Sequence, residues 1–504
     1  MKALSTTLRF LTGVSNHRPA LFELRSSTWF ITATVCTAVF TDIFLYAMIV
    51  PVFPFSLPQR VGVDEDDVQH WLSVLLSVYG AALLVTAPIF GWLSDRIELR
   101  RTPLLAGIVV LGGATVMLCL ANNLPLLIVG RILQGASAGV VWVTGLALLA
   151  DTVGKKYAGQ AMGFVGIAYA AAALLAPLLG GIVYERAGYY AVFAMAFGMI
   201  ALDIVLRLLL IEKKAAKKWL GEDDVQMEPQ TLADDPEQAQ ADKQITAAFA
   251  PSEPSNSAAI DVPLTQTSSK IEKKLPPMLI LLKSRRMQAT FASCAIAALI
   301  LTAFDTTLPL FVEETFHWSS TGAGLIFLAP LLPSFFQPLY GRAVDKYGAR
   351  WPAGLGLLIC VPPFVCLRLV TQNSLAQKVL LCALLAIIGF GVALTLAATM
   401  AEFTYIAAEK ERRQPGSMGR GGAYAQSYSL FNVSWAFGSL VGAYWAGGVR
   451  LAAGFGAMGW SLALLCGVFC VPTLMFVGGS VFALKRRKDE GGVGGGVGVV
   501  RNTR

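Results

Sequence analysis

The stretch PIFGWLSDRIELRR at residues 88–101 decides how the rest of this sequence is interpreted. A related stretch, PLYGRAVDKYGAR, stands at residues 338–350. Each copy ends a long apolar run, places a glycine four residues before an acid with a base beside it, and adds bases before the next apolar run. A pattern that recurs at matching places predicts a chain made of two related halves.

Each copy has a physical interpretation of its own. The glycine, Gly91 or Gly341, lets a neighbouring helix approach closely, the acid can cap a helix start, and the bases hold a short connection in the cytosol. One copy alone would indicate only a positively charged turn between two membrane helices, and the second copy argues against that interpretation. The residues that carry the pattern in the two copies are Gly91, Asp95, Arg96, Arg100, Gly341, Asp345, Lys346 and Arg350.

The shared pattern P-x-x-G-x-x-x-D-[R/K] resembles the loop between the second and third helices of the major facilitator superfamily, and its repeat between the eighth and ninth. The resemblance implies an all-α integral membrane protein with twelve transmembrane helices in two pseudo-symmetric six-helix halves. It also implies that these residues of the two copies form a conformational gate, in which the Asp95 loop latches one state of a rocking motion. The first copy departs from the family pattern, with Glu98 in place of a glycine and Leu99 in place of a base.

The composition is that of a membrane protein. Of 504 residues, 55% are hydrophobic and only 14% are charged, and the mean hydropathy is +0.61, whereas about a quarter of a soluble domain is charged. The net charge of +8 could indicate a nucleic-acid partner. However, the bases lie in short connections between apolar runs, where they orient the chain in the bilayer. We therefore expect contact with lipid and no nucleic-acid partner.

Apolar runs of about 20 residues are long enough to cross a bilayer. They predict spans at 29–54, 71–94, 103–121, 124–150, 160–185, 189–211, 287–312, 321–343, 351–371, 378–408, 421–447 and 454–484. The bases cluster on one side of these spans and the acids of residues 64–67 lie on the other, which predicts cytosolic termini. We expect a multi-pass protein of the plasma membrane or of a vacuolar or vesicular membrane.

Five segments follow from this pattern. They are a cytosolic N-terminal segment (1–28), a six-helix half (29–211), a linker (212–286), a second six-helix half (287–484) and a low-complexity cytosolic tail (485–504). The linker is rich in Pro, Ser, Gln, Ala and Asp and is too polar to bury a core. We therefore expect it to be disordered in the cytosol, either as a passive tether or as a regulated one.

The motifs of enzymes are missing from the sequence. All eight cysteines lie inside apolar runs, and none belongs to a C-x-x-C pair or a Cys/His cluster. We find no pair of nucleophile and base, and no phosphate-binding glycine loop in a strand–helix context. We therefore predict that the protein is not an enzyme and needs neither a metal nor a cofactor.

Asp42 lies in the middle of the first span, with Tyr46 one helical turn further on. A charge in hydrocarbon is costly, so an ionisable residue there is a functional candidate unless it caps or pairs locally. The spacing D-x8-P-x-x-P to Pro51 and Pro54 resembles the first helix of the vesicular amine transporters and their fungal relatives in the drug:proton antiporter branch. The resemblance implies that Asp42 meets the ammonium group of the substrate and takes part in proton exchange.

Asp305 holds a similar place in the seventh span, within FDTTLPLFVEET at residues 304–315. This string resembles an acid-x-x-L-P-x-x-x-x-E-T string of the same vesicular family. Asp42 and Asp305 lie on the leading helix of each half, where both would face a central cavity and trade a proton for a cation. The alternative is that Asp305 is an acid wetted at the outer leaflet.

Arg131 and Gln134 lie in the fourth span, within the string RILQGASAG at residues 131–139. The string resembles the second motif of the superfamily, whose arginine is associated with proton transfer; alternatively, Arg131 snorkels to the interface. In the sixth span, Asp203 and Arg207 are four residues apart and are predicted to neutralise each other.

Glu402 lies near the cytosolic end of the tenth span. Two interpretations remain open for Glu402: it is a second proton site, or it is an acid at the membrane interface that pairs with Lys410.

The fifth span carries Gly166 and then APLLGG, with Ala176, Pro177, Gly180 and Gly181. This resembles the G-P-x-x-G-G antiporter motif, with alanine in place of the first glycine, and it favours export or sequestration. Proline kinks a helix and glycines permit close contact, so ordinary tight packing is the alternative.

The eleventh span repeats polar and aromatic residues at helical spacing, namely Tyr424, Tyr428, Asn432 and Trp435. Such a stripe can be packing, but opposite Asp42 it would suit a cationic or aromatic substrate. The amine transporters carry ionisable residues at three positions that this chain fills with Tyr79, a residue near Leu396, and Tyr428. The loss of these ionisable residues counts against a monoamine as the substrate.

These observations favour a secondary active transporter, namely a proton-coupled antiporter that expels or sequesters a small organic cation or drug-like compound, acting as a monomer. One alternative is a facilitator or symporter of a neutral or anionic solute. The other is a membrane sensor that does not transport, whose expected folded cytosolic domain is at odds with the polar linker.

Overall fold

The computed structural model describes residue 19 and residues 21–94, 100–216, 281–413 and 422–479. All regular secondary structure in these ranges is helical. The chain divides into two compact units, residues 1–212 with 276–504, and residues 213–275. The first unit holds both six-helix halves. In the second, the short helix Lys213–Ala216 is described, and most of the predicted linker, like the predicted tail, lies outside the described residues.

The N-terminal half contributes six crossings. They are α1 (Thr28–Ala47), α2 (Val68–Ser94), α3 (Arg101–Leu120), α4 (Leu124–Val153), α5 (Phe164–Ala187) and α6 (Tyr189–Leu209). The predicted break between the fourth and fifth spans is not a loop, because α4 and α5 belong to one helical stretch, Leu124–Ala187. Gly188, with φ of 80°, ends that stretch and turns the chain directly into α6.

The C-terminal half also contributes six crossings. They are α7 (Arg285–Phe316), α8 (residues 320–347), α9 (Arg350–Cys366), α10 (Leu375–Arg413), α11 (residues 422–453) and α12 (residues 455–476). The last two belong to the helical stretch Gly422–Phe476, which is broken at Gly454 by a φ of 84°. Ten helical stretches of the described chain are long and apolar enough to span a membrane; division at Gly454 and the interrupted α8 bring the number of crossings to twelve.

The eighth crossing is not the continuous span that the apolar run predicted. It consists of Ser320–Leu325, Leu328–Leu331, the 3₁₀ segment Leu332–Phe336 and Gln337–Tyr347. Pro330 and Pro333 explain the interruption, because each lacks a backbone N–H and its ring collides with the preceding helical turn.

A matching arginine holds the third helix of each half to the end of its sixth. At the start of α3, Nε of Arg101 donates to the Arg207 carbonyl at 3.1 Å. At the start of α9, Nε of Arg350 donates to the Val477 carbonyl at 2.9 Å. Sequence spacing had aligned Arg350 with Arg100, but Arg100 instead pairs with Asp151 at 2.9 Å. The two halves therefore share this hydrogen bond as well as the sequence pattern. The arginine that forms it is shifted by one residue in the N-terminal half, from position 100 to Arg101.

A buried ion pair inside the N-terminal half confirms one prediction. Arg207 binds Asp203 through two parallel hydrogen bonds, Nε to Oδ1 at 2.8 Å and Nη2 to Oδ2 at 2.5 Å. Both side chains are buried. Paired in this way, each charge offsets part of the cost of burying the other.

The two halves pack along two pairs of helices. Between α2 and α11, a side chain on Gly80 would overlap the backbone of Leu440, and Ser77 Oγ donates to the Leu440 carbonyl at 3.3 Å. Between α5 and α8, Ser320 Oγ donates to the Gly181 carbonyl at 3.0 Å. Large apolar side chains such as Val109 and Val116 are exposed on the outside of the bundle, as expected for a surface in contact with lipid.

Candidate functional site

Asp42 lies inside the bundle and not on its lipid face. Its side chain is completely buried, and Oδ2 accepts a 3.1 Å hydrogen bond from Nε1 of Trp142 on α4. Oδ1 has no hydrogen-bond partner among the described residues, and neither has the hydroxyl of the adjacent Thr41. The aspartate is thus held by one neutral donor, and no lysine or arginine of the described chain forms an ion pair with it.

A chain of aromatic rings leads from Asp42 into the other half. Trp142 meets Tyr169 of α5 edge to face, with ring centroids 6.1 Å apart. Tyr169 meets Trp435 of α11 in the same way at 5.8 Å. Trp435 had been predicted to line the cavity, whereas the sequence analysis did not single out Trp142 or Tyr169. We call Trp142, Tyr169 and Trp435 the aromatic bridge.

Asp305 of α7 contacts α1 of the other half. The hydroxyl of Tyr46 donates to Oδ2 of Asp305 at 3.0 Å. The ring of Tyr46 also packs against Tyr79 of α2, with centroids 4.7 Å apart. Tyr46 therefore touches the acid of one half while it packs in the other.

Arg131 does not extend to the membrane–water interface, because its side chain is buried inside the bundle. Its side chain is fully buried, and Nη1 donates to Oε1 of Gln134 at 2.7 Å. The rings of Tyr46, Phe53 and Tyr79 lie 5.2, 5.6 and 5.4 Å from its Cζ. Arg131 and Asp305 thus share the neighbour Tyr46, which puts Arg131, Gln134, Tyr46 and Asp305 in one group.

Glu402 lies apart from this group. Its side chain is buried and pairs with Arg286 at the start of α7, and it also accepts a 2.7 Å hydrogen bond from the backbone N–H of Gly478. Arg286 binds Glu409 as well, at 2.8 Å. The partner of Glu402 is thus Arg286 rather than Lys410, and the arrangement ties α7 to α10 and to the end of α12.

The gate residues are described only in part. Asp95 and Arg96 lie outside the described residues, as does the side chain of Asp345. Gly91 meets the expectation of close approach, since a Cβ there would lie 2.9 Å from Ser429 Oγ of α11. For Gly341 nothing described lies within 4 Å of such a Cβ, so its close approach to another helix stays a prediction. Lys346 is exposed.

The glycines of the antiporter motif lie at contacts of α5 with its neighbours. A Cβ on Gly180 would overlap the carbonyl oxygen of Met48, just after α1, and one on Gly181 would overlap that of Ser320 in the other half. The carbonyl of Pro177 lies against Gly324 of α8 in the same way. Gly166 is less tightly packed, with Oε1 of Gln337 at 3.4 Å from its notional Cβ. The motif thus forms part of the contact between the halves.

The remaining residues of α11 occupy different surroundings. Asn432 is buried, and its Nδ2 has no partner among the described residues. Tyr428 packs against a cluster of the N-terminal half that contains Val35 and Val39. Tyr424 lies in α11, but its side chain is outside the described part of the chain.

A polar network that the sequence analysis missed joins the halves beyond Asp305. Arg450 of α11 binds Glu314 of α7 through Nη2 at 2.6 Å and also donates to Oε1 of Gln69 of α2. Nε2 of Gln69 donates in turn to the carbonyl of Thr306 at 3.1 Å. We call Gln69, Glu314 and Arg450 the outer network; it connects α2 of one half with α7 and α11 of the other.

Comparison with known proteins identifies the family. A sequence profile described as Major Facilitator Superfamily matches residues 35–334 and 290–497, which together cover most of the chain. The chain belongs to the Major Facilitator Superfamily. Members of this superfamily are transporters, so the protein is an integral multi-pass membrane protein that acts on small molecules.

Individual relatives of this superfamily member agree with that assignment. An uncharacterized MFS-type transporter of Schizosaccharomyces pombe is 34% identical over 446 residues, which are 88% of this chain and 94% of the relative. A probable vesicular acetylcholine transporter-B of Danio rerio is 29% identical over 197 residues, 38% of this chain and 40% of its own length. The predicted resemblance to the vesicular transporters and to fungal members is confirmed.

A solved structure shares the fold of this superfamily member. The human organic anion transporter MFSD10 (TETRAN) superposes with a TM-score of 0.57 over 88% of this chain and 99% of its own. At 16% sequence identity the similarity concerns the fold alone. The predicted twelve-helix major facilitator fold is confirmed.

Proposed function

We propose that this transporter is a proton-coupled antiporter that exports or sequesters small organic cations or drug-like molecules. The observation that carries the proposal is the environment of Asp42, a fully buried carboxylate held by one neutral donor. A buried carboxylate is costly unless it is protonated or meets a cation. An exchange cycle supplies the two in turn, a proton in one step and a cationic substrate in the next.

The aromatic bridge supports a cationic substrate. Trp142, Tyr169 and Trp435 are half-buried. Trp142 contacts Asp42 directly, and Tyr169 and Trp435 continue the chain of ring contacts from it. Aromatic faces attract organic cations by about 0.5–2 kcal/mol per contact, with the larger values in desolvated sites. The partial similarity to a vesicular acetylcholine transporter supports the same substrate class.

Asp305 and Arg131 would couple the exchange to movement of the halves. Tyr46 contacts both, and Asp305 belongs to the opposite half. When the halves rock about the midplane, the Tyr46–Asp305 hydrogen bond must break and reform. The surroundings of Asp305 therefore change between the two states of the transporter. We further propose that one chain is the functional unit and that both termini are cytosolic, because the two halves form the site together and the connecting bases lie on one side.

Transport by the purified full-length protein in sealed liposomes with an imposed pH gradient tests the proposal. Uptake of tetraphenylphosphonium, ethidium and rhodamine 123 is compared for wild type, Asp42→Asn and Asp64→Asn. Asp64 is an exposed acid outside the membrane spans, so its variant is the matched control. We expect gradient-driven uptake in wild type and in Asp64→Asn, and its loss in Asp42→Asn. Uptake that ignores the gradient, or that survives in Asp42→Asn, would indicate a facilitator or another substrate class.

A further inference from the structure

Arg131 has one edge of its guanidinium group without a hydrogen-bond partner among the described residues. The group donates from Nη1 to Gln134, while Nε and Nη2 are buried without a hydrogen-bond partner in the described chain. Buried donors without partners are rare, and each costs about 1–3 kcal/mol. Two unpartnered donors on one buried guanidinium group indicate that this edge binds a ligand rather than another part of the protein.

A second arginine in the same half shows what such an edge binds. Arg207 uses the same two atoms, Nε and Nη2, to hold both carboxylate oxygens of Asp203 at 2.8 and 2.5 Å. This side-on fork matches the spacing of the two oxygens of a carboxylate. Arg131 presents the same fork, and no described acid lies within ion-pair distance of it.

The aromatic rings around Arg131 do not compensate for its buried charge as an anion would. Three rings, those of Tyr46, Phe53 and Tyr79, lie between 5.2 and 5.6 Å from Cζ. Cation–π contacts contribute about 0.5–2 kcal/mol each, whereas burial of a lone charge costs several kcal/mol. The rings partly stabilise the cation and form apolar walls around it.

We propose that the Nε–Nη2 edge of Arg131 is the subsite for a carboxylate, or a similar planar oxyanion, of the transported molecule. The inference rests on the proposed function and narrows it: the substrate is amphoteric, with its cationic group at Asp42 and its acidic group at Arg131. Arg131, Gln134, Ala138 and Trp142 recur along one face of α4. Arg131 and Trp142 are eleven residues apart, or about 16 Å along the helix axis, so the two subsites lie at different depths.

A matched pair of dyes tests the subsite. Rhodamine 110 carries a free carboxylate, and rhodamine 123 is its methyl ester, so the pair differs only in the acidic group. Each dye is titrated with purified full-length protein in detergent, and binding is read from fluorescence polarisation. We expect wild type to bind the acid at least about tenfold more tightly than the ester, as two charge-assisted hydrogen bonds provide.

Three variants separate recognition from folding. Arg131→Lys retains the charge but loses the fork, and Arg131→Gln loses both; each should bring the ratio of ester to acid dissociation constants close to one. Gln134→Glu places a carboxylate beside Nη1 of Arg131 and neutralises the arginine, while the side chain at position 134 keeps its size. This variant should also lower the ratio of ester to acid dissociation constants. Arg60→Lys, at an arginine stacked on Tyr189 away from the site, is the control and should preserve it. Size-exclusion chromatography checks folding, and Gln134→Glu decides the result if the Arg131 variants fail to fold.

Two results would overturn the subsite. One is equal or weaker binding of the acid by wild type, or no binding of it at all. The other is an acid preference that survives in Arg131→Gln. Failure of the proposed function is distinguishable, because it appears as transport of rhodamine 123 that is independent of the pH gradient and of Asp42.

Discussion

The hydroxyl of Tyr46 donates a 3.0 Å hydrogen bond to Asp305 and thereby joins the leading helices of the two halves. The bond spans 259 residues of sequence. Its donor also packs on Tyr79 and lies 5.2 Å from the Arg131 guanidinium carbon. Tyr46 is thus the side chain through which an acid of one half meets the arginine of the other.

Tyr46→Phe removes this hydrogen bond and keeps the ring. A hydrogen bond to a charged or buried partner contributes about 0.5–3 kcal/mol, so we expect turnover to change by about twofold or more. Initial rates of rhodamine 123 uptake in liposomes give kcat and KM separately. Tyr79→Phe removes a neighbouring hydroxyl and is the control. Equal kinetics for the two variants would exclude a role for the Tyr46–Asp305 bond.

Trp142→Phe removes the described donor to Asp42 and keeps an aromatic ring in the bridge. A buried acceptor that loses its partner costs about 1–3 kcal/mol. We therefore expect a lower thermal midpoint, measured by tryptophan fluorescence or by a thiol-reactive dye. In an Asp42→Asn background the same change should cost less, because a neutral acceptor makes the weaker bond. A cost that is the same in both backgrounds would mean that the loss comes from packing of the ring.

Arg450→Gln breaks the outer network between α2, α7 and α11. Arg450 is the cation that Glu314 and Gln69 share, so its removal should favour separation of the halves at this end. Ser77→Cys, at a buried position between α2 and α11, reports the separation through its rate of labelling by a membrane-impermeant maleimide from the outside. We expect labelling several-fold faster in Arg450→Gln than in the control Arg60→Gln. Identical rates would show that the network does not hold this end closed.

The architecture was predictable because its signals are local and repeated. Residues 88–101 and their copy at 338–350 fixed the duplication, and Asp42 and Asp305 stood out because acids are rare in apolar runs. The interruption of α8 could also have been read from Pro330 and Pro333.

Contacts between distant segments were not predictable in this way. Trp142 resembles any packed aromatic residue until Asp42 is placed beside it, although its position on the stripe of Arg131 and Gln134 was a usable signal. Arg450 finds Gln69 across 381 residues, and no local spacing encodes that pairing. Glycine at position 341 suggested close packing by analogy with Gly91, but nothing described lies within 4 Å of a Cβ built there.

Gly181→Ala tests whether the antiporter motif controls the approach of the halves. A Cβ at this position would overlap the carbonyl oxygen of Ser320, which is backbone and cannot rotate away. Overpacking of this kind costs about 1–3 kcal/mol, and it penalises the described state, in which α5 touches α8, more than a state in which they separate. We expect transport to fall by about tenfold, with expression and folding retained. Gly198→Ala in α6 is the matched control, because nothing described lies within 4 Å of the added carbon. This variant should transport like wild type. A similar loss of transport in both variants would assign the effect to helix rigidity instead of contact between the halves.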